Sequence, residues 1–122
     1  MIELNSYFKP LNPGIYAAKE RWGTSQIGRL IDSHTTDHFP DVKFAEIAIF
    51  NVPEYEGSKN KLASQDCKIR ASFYKLHQEK SPRMVDLGTM QLMPTRKESF
   101  KMIQDVCEAL LHDGVIPVII GG

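Results

Sequence analysis

The chain has 122 residues, of which 42% are apolar and 25% are charged, a composition that fits one globular domain with a single hydrophobic core. Fifteen basic residues balance fifteen acidic residues, so no net charge would attract nucleic acid or an acidic membrane. No basic segment followed by an apolar stretch opens the chain, and no apolar run is long enough to cross a bilayer. The sequence therefore predicts a cytoplasmic protein with no nucleic-acid or membrane partner.

Residues 1–43 are predicted to form an N-terminal arm and a short helix. Proline and glycine residues between Pro10 and Gly14 interrupt regular structure, and the aromatic side chains before them would anchor the arm. A short amphipathic helix is expected next, with Thr24 or Ser25 as its N-cap and apolar residues at helical spacing after the cap.

Beyond this arm the sequence alternates between strand and helix patterns. The predicted strands cover residues 44–52, 84–87 and 115–120, and a helix separates each pair. Alternation of this kind is typical of a three-layer α/β fold with a parallel sheet, so residues 44–122 are predicted to be a βαβαβ unit. The helix positions expected in its core are Ile69, Phe73, Ile103, Cys107 and Leu110.

The second long helix has the clearest ends. Thr95 and Glu98 stand at capping-box spacing, and Gly114 occupies the position of a left-handed C-cap. In the strand that follows, Pro117 cannot donate to a ladder and is expected near the strand's start or at an irregularity. Ligands of such sheets bind beyond the carboxyl ends of the strands, so the loops after those ends are the candidate functional loops.

His34 and His38 form the one pattern that could bind a metal. They lie four residues apart with Asp37 beside the second, a spacing that on a helix would direct both imidazoles to one side. The segment is polar and leads into Pro40, so a solvated helix end followed by a loop is the alternative interpretation.

Other polar residues have simpler interpretations. His77 and His112 lie near the C-terminal ends of helices, where an imidazole suits the helix dipole. Arg70 and Lys75 are predicted on the solvent-exposed face of the first long helix. Asp86, near the end of the middle strand, is predicted to be a turn or cap residue, with a place in a cleft as the alternative.

The residues do not assemble into a recognisable reaction centre. Cys67 and Cys107 match neither a disulfide framework nor a zinc motif, so both are expected to be reduced thiols. Gly121 and Gly122 do not match a dinucleotide or Walker pattern. No nucleophile with a base, no carboxylate pair and no metal-ligand cluster can be assembled. We therefore predict no catalytic, cofactor-binding or metal-binding residue in this chain.

Four short motifs nevertheless follow one another in a distinctive order. They are Val52-Pro53, Ile69-Arg70, Asp86-Leu87-Gly88, and Ile116-Pro117 leading to Gly121-Gly122. In this order and spacing they resemble the first third of the ureohydrolase family, which comprises arginases, agmatinases and formimidoylglutamases.

The resemblance implies an arginase-like fold, of which this chain would be the N-terminal portion with the first three strands. In the family a histidine soon after the Gly-Gly pair is the first ligand of a binuclear manganese site, and the other ligands come later. The resemblance therefore implies that a longer parent holds the manganese and acts on a guanidino or formimino small molecule, while this chain lacks the metal site. We also expect a homo-oligomer that associates through the strand at residues 115–120 or the helix at residues 99–111, because the strand would have an exposed edge and the helix an exposed apolar surface.

Two departures from the family pattern leave a second hypothesis open. Asn51 stands where the family usually has glycine before Val-Pro, and Gln65-Asp66 stands where it usually has Gly-Pro. These departures imply a diverged branch. The parent is therefore expected to be either a manganese-dependent hydrolase or a catalytically silent arginase-like protein with a binding or assembly role.

Overall fold

A computed structural model describes residues 3–12, 22–53, 69–78, 82–91 and 93–120. Over these residues the chain forms a small α/β domain with a mixed five-stranded sheet and three helices. The strands β1 to β5 are Phe8–Lys9, Asp32–Ser33, Ile47–Asn51, Met84–Met90 and Ile116–Ile120. The helices are α1 (Ile27–Leu30), α2 (residues 69–75) and α3 (Arg96–His112). Among the described helices, none combines the length and the apolar composition that a membrane span requires.

The three strands predicted after residue 43 are present and are parallel to one another. β3 lies between β4 and β5 and is parallel to both. Two of their bounds differ from the prediction by more than one residue. Phe44 belongs to a 3₁₀ turn before β3 and is 66% exposed, and β4 continues to Met90.

The sheet also contains two strands that the sequence patterns did not indicate. β1 is antiparallel to the end of β4, and β2 is parallel to its start, so the sheet is mixed and has more than the three strands expected. Both new strands come from residues predicted to be an arm and a helix. The predicted helix is a single turn with Gln26 at its N-cap and no side-chain cap, and the Ser25 hydroxyl instead lies 2.7 Å from His77 Nδ1.

Two apolar clusters hold the helices against the sheet. Ala48 and Phe50 of β3 pack with Val106 and Leu110 of α3 in one cluster, and Ile49 belongs to the other. Because side chains alternate along a strand, these clusters lie on opposite faces of β3. The second cluster also contains Ile27, Ile31 and Tyr74, so it joins α1 and α2 to the sheet.

The core prediction was wrong for Ile69 of α2. Ile69, expected inside, is 43% exposed, whereas Arg70 and Tyr74 are buried one turn apart. The buried face of α2 is therefore shifted by one residue from the apolar pattern, because an arginine occupies an inward position. Phe73, Ile103 and Cys107 are partly buried against the clusters, and Cys107 is a free thiol whose pKa is raised by burial.

The ends of α3 are as predicted. The Thr95 side chain accepts a hydrogen bond from the Glu98 amide at 3.1 Å. At the other end Gly114 has φ +77°, and the Val115 amide donates to the Leu110 carbonyl at 2.9 Å. Together with the bond from the Gly114 amide to the Leu111 carbonyl at 3.0 Å, this bond forms a Schellman-type C-cap, which turns the chain directly into β5.

Candidate functional site

A buried polar network lies toward the carboxyl ends of β3 and β4. Its central members are Arg70 from α2 and Asp86 from β4, and neither side chain is exposed to solvent. Asn51, the last residue of β3, is 3% exposed and belongs to the same network. Buried charges are stable only when they are paired and hydrogen-bonded, so the partners of these groups determine what the network can do.

Arg70 binds Asp86 through two parallel hydrogen bonds. Arg70 Nε donates to Asp86 Oδ2 at 2.8 Å, and Arg70 Nη2 donates to Oδ1 at 2.9 Å. The guanidinium also donates to the Gly88 carbonyl at 3.1 Å and to Asn51 Oδ1 at 3.0 Å. This single side chain therefore connects α2 to both β3 and β4.

The Asp86 carboxylate is saturated by its neighbours. Besides the two bonds from Arg70, Oδ2 accepts from the Tyr74 hydroxyl at 2.5 Å and Oδ1 accepts from the Gly88 amide at 3.0 Å. An ionised carboxylate offers about four acceptor positions, and these bonds use all of them. Asp86 consequently has no lone pair left for a metal ion or a substrate proton.

Tyr74 is held in its neutral form at the edge of the network. Burial raises the pKa of its hydroxyl far above the ordinary value, and the negative charge of Asp86 raises it further. Since the Tyr74 proton is donated to Asp86, the Ser33 hydroxyl, 3.1 Å away, donates to the tyrosine oxygen. The network thereby extends to β2.

A β-bulge shapes the β4 side of the network. Ile49 and Phe50 of β3 pair with Asp86 and Gly88, so Leu87 is an extra residue in β4. Gly88 has φ +93°, a conformation that favours glycine. Its amide and carbonyl both bond to the buried ion pair.

The amide of Asn51 completes the network on β3. Its Oδ1 accepts from Arg70 and also from the Thr89 hydroxyl at 2.7 Å. Thr89 is the residue paired with Asn51 in the sheet register. Asn51 therefore joins the end of β3 to both α2 and β4.

Two sequence predictions for these residues were wrong. Arg70 does not lie on a solvated face, although Lys75 does, and Asp86 is inside β4 and not in a turn or cap. A carboxylate within an apolar strand is costly unless a cation is buried with it. The aspartate within the apolar residues of β4 is therefore the sequence feature that could have indicated a buried arginine partner.

The histidine pair is not on a helix. Residues 35 and 38 are bridged in a tight turn. His34 is buried, and its Nδ1 lies 2.8 Å from the Leu87 carbonyl, so this nitrogen carries the proton. His38 is exposed and bonds to Asp32 at 2.7 Å. The described residues contain no group of three or more histidine, cysteine or acidic side chains positioned to hold a metal.

The other residues singled out from the sequence lie outside the polar network. His77 follows α2 and bonds to Ser25, so it links two segments and does not cap the helix, while His112 lies in the last turn of α3 as expected. Cys67, Gln65-Asp66 and Gly121-Gly122 lie outside the described residues.

An open pocket lies at the amino-terminal ends of β3 and β4, opposite the ends that hold the polar network. It has a volume of about 520 Å³ and is lined mainly by apolar side chains, including Leu30, Phe44 and Met84. Its charged lining residues include Asp41 and Arg83. The lining residues that the structure describes include no nucleophile beside a base, so the polar network is the better-defined candidate site.

Comparison with protein-family models, with curated proteins and with solved structures gave no match.

We expect this 122-residue chain to bind no Mn²⁺ tightly at neutral pH. Asp86 has no spare acceptor, and His34 and His38 converge with no further ligands among the residues that the structure describes, whereas manganese requires several oxygen or nitrogen donors together. Isothermal titration calorimetry with MnCl₂ checks this, with heats of dilution as the expected result. Tight stoichiometric binding that disappears in the His34→Ala/His38→Ala double variant would contradict the expectation.

Proposed function

We propose that this chain is the N-terminal portion of an arginase-like, three-layer α/β domain from a cytoplasmic, manganese-dependent ureohydrolase. The whole protein would hydrolyse a C–N bond of a guanidino or formimino compound. The observation that carries the proposal is the convergence of Arg70, Asp86 and Gly88 in one buried network.

These residues come from separate segments of the resemblance. Arg70 belongs to the Ile-Arg motif, and Asp86 and Gly88 belong to the Asp-x-Gly motif; Arg70 and Asp86 are sixteen residues apart. A resemblance that arose by chance gives no reason for its dispersed polar residues to bond to one another. Their bonding supplies a physical reason for arginine, aspartate and glycine to occur together at these positions.

The role proposed for the network is structural. It connects α2, β3 and β4 near the carboxyl ends of parallel strands, the edge at which ligands of such sheets bind. If the whole protein is a ureohydrolase, bound manganese would supply an activated water for hydrolysis of the C–N bond, and its ligands would come from residues outside those that the structure describes. The described residues do not fit such a metal site, because Asp86 is saturated, so no catalytic step is assigned to them.

A catalytically silent arginase-like protein with a binding or assembly role is the second candidate. Asn51 is the observation that favours it, because this departure from the family pattern adds hydrogen bonds to the scaffold and no reactive group. In that case the network would be retained for folding alone.

The coding sequence after Gly122 and the protein that it encodes test the proposal. We expect a histidine within a few codons of Gly122 and Mn²⁺-dependent hydrolysis of agmatine, arginine or formiminoglutamate by the longer protein, with the 122-residue chain as the inactive control. A longer arginase-like protein without that histidine and without activity would support the silent alternative. The absence of further coding residues would contradict both candidates.

A further inference from the structure

The open pocket at the amino-terminal ends of β3 and β4 has the properties of a small-molecule site. Its volume of about 520 Å³ lies within the roughly 300–1,000 Å³ that is usual for ligand pockets. Ile31 and Val85 are buried in its lining, whereas Leu30 and Phe44 are 53% and 66% exposed. A ligand that covers these two exposed side chains removes apolar surface from water, which favours binding.

The pocket lies away from the edge of the sheet at β5. Its described lining residues come mainly from α1, β2, the 3₁₀ turn before β3 and the start of β4, and none belongs to β5 or α3. β5 and β4 pair with opposite edges of β3, so further strands beside β5 would extend the sheet away from this pocket. The pocket is therefore compatible with a longer arginase-like sheet.

Two opposite charges in the lining have capacity for a ligand. Asp41 Oδ1 accepts from the Lys43 amide at 3.0 Å, and no described residue bonds to its second carboxylate oxygen. The guanidinium of Arg83 likewise makes no bond to a described side chain, and none of the described ion pairs joins it to Asp41. Asp32, the other charged residue described in the lining, already bonds to His38 at 2.7 Å.

Phe44 presents an aromatic surface at the same pocket. Its ring is largely exposed and takes part in none of the aromatic contacts among the described residues. Aromatic rings favour offset-stacked or edge-to-face contact with another ring. The lining thus combines a carboxylate, a guanidinium and an aromatic ring without a ring partner.

We propose that this pocket binds a small aromatic zwitterion, with its ring against Phe44, its ammonium at Asp41 and its carboxylate at Arg83. A planar guanidinium binds a carboxylate through two parallel hydrogen bonds, and its flexible stem lets it reach the ligand. A ligand with a single charge would leave the other lining charge beside an apolar body without a partner. The site lies at the opposite strand ends from the polar network, so it does not depend on ureohydrolase activity.

NMR titration of the 122-residue chain with L-phenylalanine at neutral pH tests the proposal. We expect saturable shifts of the Phe44, Arg83 and Met84 amides at millimolar ligand. Two derivatives keep the ring and remove one charge each: N-acetyl-L-phenylalanine lacks the ammonium, and L-phenylalaninamide lacks the carboxylate. The dissociation constant of each derivative should be about threefold higher or more, the effect of losing one exposed ion pair.

Two variants assign each charge of the ligand to its partner. Asp41→Asn keeps the oxygen that accepts from Lys43 and removes the charge, so it should weaken L-phenylalanine about threefold and leave N-acetyl-L-phenylalanine unchanged. Arg83→Met should weaken L-phenylalanine to a similar extent and leave L-phenylalaninamide unchanged. Both side chains are exposed, and circular dichroism should show that both variants are folded.

Phe44→Ser should abolish saturable binding, and Phe100→Ser is its matched control. Phe100 is 63% exposed on α3 and lies outside the pocket, so its replacement should leave the dissociation constant unchanged. The absence of saturable shifts with L-phenylalanine, or equal affinity for all three probes, would overturn the proposal. Binding that survives Phe44→Ser, or that is lost in Phe100→Ser, would place the ligand elsewhere and would overturn it as well.

Discussion

Replacing Arg70 with methionine should lower the free energy of unfolding by about 3–5 kcal/mol, because it leaves the Asp86 carboxylate buried without its cation. Small domains have a total stability of about 5–15 kcal/mol, so this single change removes a large fraction of it. Arg70→Lys should cost less, since it keeps the charge, but an ammonium cannot make both parallel bonds to the carboxylate. Urea unfolding followed by circular dichroism measures both effects.

Lys75→Met is the control on the same helix. Lys75 is exposed, so we expect a change within about 0.5 kcal/mol. If Arg70→Met were as mild as Lys75→Met, the guanidinium would not be buried at the ends of β3 and β4.

Gly88→Ala should destabilise the domain by about 2–5 kcal/mol, combining left-handed backbone strain with steric overlap. A Cβ at this position would lie 2.2 Å from the Lys9 carbonyl oxygen, and the residue has φ +93°. The clash involves backbone of β1, so the pairing of β1 with β4 should weaken first. Hydrogen exchange of the Gln91 amide, which donates to the Tyr7 carbonyl beside β1, reports on this pairing locally.

Gly114→Ala separates the two causes of this loss. Gly114 also has positive φ, at +77°, but a Cβ there would meet no atom within 4 Å. Gly114→Ala should therefore lower the free energy of unfolding only by the backbone strain, about 1–2 kcal/mol. Equal losses for the two substitutions would show that the Lys9 carbonyl does not lie against Gly88.

The parts of the fold that follow from local chemistry could be predicted from the sequence. The apolar runs of β3 and β5, the Thr95 cap and the Gly114 C-cap depend on neighbouring residues, and the structure has them where the patterns indicate. β1 and β2 have two residues each, too few to show a period. Their pairing depends on β4, far along the chain, so no local pattern could reveal it.

The candidate site was missed for a related reason. A charged residue on a helix is usually solvated, and the apolar residues of α2 favoured burial of Ile69 over Arg70. Asp86 decides which face of α2 packs against the sheet, because a carboxylate buried inside a strand requires a cation as its partner. The sequence contains both residues, but it does not give the distance between them.

A double-mutant cycle on Arg70 and Asp86 tests the central claim most directly. The free energies of unfolding of Arg70→Met, Asp86→Ala and the double variant would be measured with the wild type under one set of conditions. We expect the double variant to cost little more than the larger single loss, with a coupling free energy of about 1.5–3 kcal/mol. Additive losses, within about 0.5 kcal/mol, would show that the two residues do not bond and that the proposed network does not join α2 to the sheet.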